Sequence, residues 1–155
     1  MRIALYQPDM AANTGTIIRL GACMGVAVDV IEPCGFPFGD AAMRRAGLDY
    51  IPRAAVRRHD SWTDFRAAVE GRLILATTRA QTPYTRWPFQ NTDTLLLGRE
   101  TSGVPTDVAD ACDAGISIPM ATGTRSLNVA VAAGMILGEM LRQTRWNPTD
   151  RKETS

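Results

Sequence analysis

The sequence predicts an α/β fold: a mostly parallel sheet flanked by helices on both faces. Three observations lead there. Strand-like and helix-like segments alternate along the chain. The runs Leu73-Ile-Leu75 and Leu95-Leu-Leu97 are apolar throughout rather than alternating, as strands covered on both sides require. Loops of small and polar residues follow several of the strands, at the edge where such sheets bind ligands. The 155 residues, 45% of them hydrophobic, suit one globular domain, which at this size buries roughly 70% of its unfolded surface.

The elements follow in order. Ile3–Tyr6 reads as the first strand, and Asn13 or Thr14 as the cap of a helix running through Met24, because short polar side chains satisfy the free N–H groups of a helix start. Val26–Ile31 gives a second strand, closed by Glu32-Pro33, and the loop Gly35-Phe-Pro-Phe-Gly39 leads to a short helix from about Asp40 to Ala46. A strand near Tyr50–Val56 is weakened by Pro52, which cannot donate to a ladder. Ser61-Trp-Thr-Asp64 has the form of a capping box and opens a helix through Glu70.

Leu73–Thr77 is a buried strand, after which Pro83 and Pro88 bracket a loop carrying Tyr84 and Trp87. Thr94–Leu97 is the next strand, followed by the Gly98–Pro105 loop and a short helix through Ala111. Ile116–Ile118 is the last strand, and a loop then enters the apolar helix Val129–Leu141. The domain is expected to span residues 1–146, with 147–155 a polar tail that frays.

Composition removes several classes of function. Cys23, Cys34 and Cys112 are odd in number and far apart, so neither a disulfide framework nor a C-x-x-C metal site is expected, and reduced, mostly buried thiols are. His59 is the only histidine, a poor basis for zinc hydrolysis or a Ser-His-Asp triad; no metal site is predicted. The first residues lack the form of a signal peptide. The greasiest run contains Glu139 and falls short of the ~20 residues a bilayer demands. A cytoplasmic protein that does not enter a membrane is the expectation.

Net charge is only +1, which argues against a general polyanion binder. All but one of the 17 basic residues are nevertheless arginine, Lys152 being the exception. Arginine suits bidentate phosphate contact, although a plain preference for arginine over lysine explains the count as well. Arg44, Arg45, Arg53, Arg57 and Arg58 group in one short region with few acids, a candidate phosphate-tracking face.

Two readings of the last helix stand side by side. Its apolar residues run nearly all round, and Ala130, Gly134 and Gly138 recur every four positions. It is either a central core helix or one that buries a second face in a homodimer.

The chemistry concentrates in three segments, each at a strand-to-loop junction: Asn13-Thr-Gly-Thr-Ile-Ile-Arg19, Leu95-Leu-Leu-Gly-Arg-Glu-Thr-Ser-Gly-Val-Pro105, and Ile116-Ser-Ile-Pro-Met-Ala-Thr-Gly-Thr-Arg-Ser-Leu-Asn128. Neither G-x-G-x-x-G after the first strand nor a G-x-x-x-x-G-K-S/T loop is present, so the usual dinucleotide and P-loop cradles are missing. Ser126 and Asn128 are capping residues that leave helix N–H groups aimed at a ligand. Gly98 is either a plain turn glycine or a place where a ligand approaches the main chain closely.

Together with Ile3-Ala-Leu-Tyr-Gln-Pro8, Ile31-Glu-Pro-Cys-Gly-Phe36 and Arg44-Arg-Ala-Gly-Leu-Asp-Tyr50, these segments resemble the SPOUT class of RNA methyltransferases. Within it they look like the small TrmL (YibK-like) group of tRNA 2′-O-methyltransferases. The resemblance covers nearly the whole chain. It implies a C-terminal trefoil knot, which patterning alone would never suggest because knots are almost absent from proteins. It implies S-adenosylmethionine as methyl donor, leaving as S-adenosylhomocysteine, with no metal. The implied contacts are Ala76, Thr77, Thr78, Gly98, Ile118 and Ser126, with Met120 and Leu127 lining an adenine slot.

The implied chemical cluster is Arg19, Glu100, Ser126 and Asn128, with Asn13 holding the Arg19 loop. A guanidinium stays protonated, so gripping phosphate and stabilising alkoxide charge suits Arg19 better than acting as base. Arg19 with Glu100 as an ordinary ion pair, and Asn13 and Ser126 as ordinary caps, are the plainer readings.

The implied reaction is 2′-O-methylation of the wobble nucleotide, cytidine or modified uridine, in the anticodon stem-loop of tRNA, leucine isoacceptors in particular, by a homodimer joined through the C-terminal helix. The alternatives are another tRNA or rRNA position, a knotted RNA- or nucleotide-binding module without catalysis, or a structural dimer. Ala11-Ala12 stands where the group often has proline, Thr16 where it often has asparagine, and Val-Ala-Val-Ala follows Asn128 where a serine is usual.

Overall fold

The computed structural model describes residues 1–39 and 56–144. Its elements are β1 (Arg2–Tyr6), α1 (Ala11–Met24), β2 (Ala27–Ile31), β3 (Val56–His59), α2 (Trp62–Ala68), β4 (Leu73–Ala76), a 3-10 turn (Tyr84–Arg86), β5 (Thr94–Leu97), α3 (Thr106–Asp110), β6 (Ala114–Ile116) and α4 (Val129–Gln143). The strands form one sheet in the order β3-β2-β1-β5-β4-β6, and every pairing is parallel. The α/β architecture read from the sequence is the one observed.

Period-two alternation sends Ile3 and Leu5 to one face and Ala4 and Tyr6 to the other. The first face packs with Ile17, Ile18, Ile136, Leu137 and Met140 of α1 and α4; the second packs with Phe65 of α2 and Val108 of α3. Leu73, Ile74, Leu95 and Leu96 are fully buried, which accounts for their unbroken apolar runs.

Some boundaries moved, for identifiable reasons. Helix α1 starts at Ala11 with Met10 as an N-cap that makes no side-chain cap bond. Asn13 and Thr14 therefore lie inside its first turn. The Asn13 amide is engaged with other segments, and the Thr14 hydroxyl donates to the Met10 carbonyl at 3.1 Å. Gly25 closes the helix with φ 68°, a left-handed cap that glycine adopts without penalty. Ser61 caps α2 as expected, accepting from the Asp64 amide at 3.1 Å.

The last strand is Ala114–Ile116 rather than 116–118. Ala114 and Gly115 have low strand propensity, yet they pair with Ile74 and Leu75 of β4. Strand β3 consists of the charged run Val56-Arg-Arg-His59 on β2, at the sheet edge where charges are usual. The expected thiol burial is only partial: Cys23 is exposed, and Cys34 and Cys112 are intermediate.

The expected helix from Asp40 to Ala46, the larger part of the Tyr50–Val56 segment, Arg44, Arg45, Arg53 and the tail 147–155 lie outside the described residues. Helix α4 is less uniformly apolar in place than in sequence. Ala133, Ile136, Leu137, Met140 and Leu141 are buried, while Val131 and Met135 are 52% and 40% exposed. Among the described residues no helix is long and apolar enough to cross a membrane.

Candidate active site

Strands β1 and β5 are parallel neighbours, with Leu5 opposite Leu97, so the turns that leave them emerge side by side. Gln7 adopts φ 43° directly after β1. Such a conformation is uncommon for a non-glycine residue and costs on the order of 1–3 kcal/mol. On the β5 side, Arg99 and Gly103 exchange backbone hydrogen bonds of 3.0 and 2.9 Å. A Cβ on Gly98 would sit 2.7 Å from the Gly103 carbonyl carbon. Its lack of a side chain is therefore required by this tight turn, a stronger reason than ligand approach.

A cavity of 640 Å³ opens at the carboxyl ends of β4 and β5. Each residue the sequence assigned to the cofactor lines it: Ala76, Thr77, Thr78, Gly98, Ile118, Met120, Ser126 and Leu127. Asn13, Glu100 and Asn128 line it too. They form a continuous polar chain. The Asn13 Nδ2 donates to Glu100 Oε1 at 3.1 Å, and the Asp9 amide donates to Glu100 Oε2 at 2.8 Å. Asn128 Nδ2 donates to Asn13 Oδ1 at 3.0 Å. Asn128 Oδ1 in turn accepts from the Ala130 and Val131 amides at 2.8 and 3.3 Å, which makes Asn128, not Ser126, the cap of α4.

Arg19 is not brought to this cavity. It is exposed on α1 and is absent from the cavity walls. The guanidinium nearest Glu100 in sequence, Arg99, binds Asp9 instead, through Nε at 3.0 Å and Nη2 at 2.5 Å to Oδ1. Thr101 donates to the other carboxylate oxygen from its hydroxyl at 2.6 Å. The Arg99 guanidinium and then the Thr101 hydroxyl hold the Asp9 carboxyl below its ordinary range.

Sequence reasoning passed over Asp9 and Arg99. The available signal was an acid in the turn after β1 and a cation in the turn after β5, both at the ligand-binding edge. Arg79 and Arg125 also line the cavity, and each lies in a loop that leaves a strand.

Arg57 and Arg58 do not share a face. They are adjacent on β3, and strand alternation points them to opposite sides of the sheet. Arg58 pairs with Glu32 and lies over the Phe38 ring, 5.2 Å from its centroid. Arg57 lines a second cavity with Asp29 and His59 on the α2 side. Burial pushes the Cys34 and Cys112 thiols up to about 11, so neither is a ready nucleophile at neutral pH. Among the described residues, no group of three or more His, Cys, Asp or Glu is placed to hold a metal ion.

Residues 1–138 match the family model described as the SpoU rRNA Methylase family. The chain belongs to this family. Its relatives include the tRNA (cytidine(34)-2'-O)-methyltransferase of Ancylobacter novellus, 52% identical over 147 residues that cover 93% of each chain. Among solved structures it is similar to one from work on the 2-OH methylation of C/U34 on tRNA, with TM-score 0.86, 35% identity, and coverage of 92% of this chain and 94% of that one. It is also similar to an AdoMet-bound rRNA methyltransferase from Sinorhizobium meliloti, with TM-score 0.80, 26% identity, and coverage of 91% of this chain and 55% of that longer one. The family recognised from the sequence segments is thus the family found, and the TM-scores of 0.86 and 0.80 show that these two neighbours share its fold.

Proposed function

We propose that this protein is an S-adenosylmethionine-dependent tRNA methyltransferase that places a methyl group on the ribose 2′ oxygen of the wobble nucleotide, cytidine or modified uridine, within the anticodon stem-loop. The observation that carries the reading is the Glu100–Asn13–Asn128 chain at the rim of a ligand-sized cavity, in a chain that shares half its residues with a cytidine-34 2′-O-methyltransferase.

The cavity suits the donor. Its volume falls within the ~300–1,000 Å³ typical of small-ligand sites. Leu97, Ile118, Met120 and Leu127 offer apolar walls, and Thr77, Thr78 and Ser126 offer hydrogen-bonding side chains. When bound, the donor supplies an electrophilic sulfonium methyl. Ala76, Thr77, Thr78, Gly98, Ile118, Met120, Ser126 and Leu127 would hold it.

The remaining work belongs to this chain. Glu100 has two hydrogen bonds to its carboxylate and about two lone-pair sites to spare, so it can receive the ribose hydroxyl. Asn13 and Asn128 fix its direction. Positioning of this kind is worth roughly 7–11 kcal/mol when reacting atoms are held in line.

Arg19 stabilises negative charge near the acceptor, in keeping with a permanently protonated guanidinium. Its place outside this chain's cavity implies that RNA or a second subunit brings it to a reacting centre. A homodimer through α4 answers that need and covers the exposed Val131 and Met135. Arg44, Arg45, Arg53, Arg57 and Arg58 are read as contacts to RNA phosphate, with Arg57 and Arg58 serving different faces. The segment from residue 117 to α4 is read as the trefoil crossing. Support comes from Ser117, whose amide donates to the Thr82 carbonyl at 2.9 Å, and from the return of α4 onto α1. We assign the protein to the cytoplasm, the compartment of its tRNA substrate.

The test is to incubate the protein with methyl-labelled S-adenosylmethionine and unmodified tRNA, digest the RNA, and map the label. A 2′-O-methylated nucleoside at position 34 supports the reading; label on a base, at another position or nowhere refutes it.

A further inference from the structure

We propose that Asp9 is a positioning residue that clamps the turn carrying Glu100, with Arg99 as its counter-charge. The role rests on the reading of Glu100 as part of the reacting site.

Three consecutive residues of the β5 turn are bound to this one residue of the β1 turn. Arg99 donates to Asp9 Oδ1 from Nε and Nη2 at 3.0 and 2.5 Å. Thr101 donates to Asp9 Oδ2 from its hydroxyl at 2.6 Å and from its amide at 3.3 Å. Between them, Glu100 accepts the Asp9 amide proton at 2.8 Å. The flanks of Glu100 are therefore fixed from both sides, and its carboxylate is anchored to the same residue.

Asp9 is itself held from behind. The Gly35 amide donates to the Pro8 carbonyl at 2.9 Å, and a Cβ on Gly35 would fall 3.0 Å from the Asp9 Cα. The Asp9 side chain is 14% exposed and that of Arg99 36%, so the pair is partly withdrawn from solvent and resists screening better than a surface pair. Arginine's rigid fork adds direction to the charge. The arrangement has the form of a supporting shell that fixes a reacting side chain it does not replace.

A loop staple with no bearing on the reaction would look similar, and a kinetic cycle separates the two. Asp9→Asn is close in shape and keeps the backbone bond to Glu100. It should lower kcat for tRNA methylation by about tenfold or more, because small misplacements at a reacting centre have effects of that order, while KM for S-adenosylmethionine stays within about threefold. Arg99→Gln should reproduce this loss. In a Glu100→Gln background, Asp9→Asn should add less than about twofold, since the carboxylate it positions is gone. An unchanged kcat in Asp9→Asn, or the same fold loss in both backgrounds, overturns the proposal.

Hydrogen exchange gives a readout that does not depend on activity. The Thr101 and Gly103 amides should exchange faster in Asp9→Asn than in the parent protein, and equal rates overturn the clamp. Faster exchange in Asp9→Asn, together with a parent protein that methylates no RNA, upholds the clamp and refutes the functional reading instead.

Discussion

Asn13 and Asn128 stand 115 positions apart, and a hydrogen bond of 3.0 Å from Asn128 Nδ2 to Asn13 Oδ1 joins them at the cavity rim. One side chain thus does two jobs. Its oxygen caps α4 through the Ala130 and Val131 amides, and its nitrogen ties the start of α4 to α1.

These two jobs separate by substitution. Asn128→Ala removes both and should lower stability by about 1–2 kcal/mol, the usual range for a lost cap. Asn128→Asp keeps an acceptor for the α4 amides but has no donor for Asn13. It should retain most of the stability while losing methyl-transfer activity as fully as Asn128→Ala. Urea midpoints set beside kcat values check this; equal stability losses with intact activity would contradict it.

A second test concerns charge buried away from the cavity. Asp29 is 2% exposed on β2. It accepts from Arg2 Nε and Nη2 at 2.5 and 2.9 Å, and His59 Nε2 lies 2.8 Å from its Oδ1. Asp29→Ala leaves the buried His59 without its partner, while Arg2 is 35% exposed and can turn to water. It should destabilise the fold by about 1–3 kcal/mol, the cost of a buried polar group left unsatisfied. S-adenosylmethionine affinity of the folded fraction should be unchanged. A urea midpoint equal to that of the parent protein would show the network to be idle.

Helix α4 carries a pH-dependent contribution. Arg142 and then Gln143 hold the Glu139 carboxyl down to about 2, against an ordinary 4.5. A depressed carboxyl stabilises the fold fully above its unfolded value and loses that contribution as pH falls toward the folded one. The stability gap between the parent protein and Glu139→Gln should therefore be constant above pH 4.5 and close as pH falls to about 2. Unfolding free energies across that range give the answer, and a gap that persists at pH 2 would contradict it.

Much of this was readable in the chain. The buried runs at Leu73–Leu75 and Leu95–Leu97 placed the central strands correctly, because hydrophobic continuity reports burial on both faces directly. The residues that the sequence assigned to a cofactor converge on one cavity because they occupy junctions at a single sheet edge. Asn13 misled as a local cap, since a side chain's long-range partners, here Glu100 and Asn128, leave no trace in local pattern. Ala114 and Gly115 hid a strand for the converse reason: pairing with β4 overrides their weak propensity. Asp9 and Arg99 escaped notice because their pairing depends on β1 and β5 being neighbours, which is a property of topology. The same holds for Arg57 and Arg58, which are contiguous in sequence and opposed in space.

The central claim is that the cavity and its Glu100–Asn13–Asn128 rim serve transfer to one ribose oxygen. The most direct measurement compares two otherwise identical tRNAs, one with cytidine at position 34 and one with 2′-deoxycytidine there. Both present the same base and backbone charge, and only the accepting oxygen differs. The account predicts stoichiometric label from S-adenosylmethionine on the first and none on the second; equal labelling of the two would contradict it.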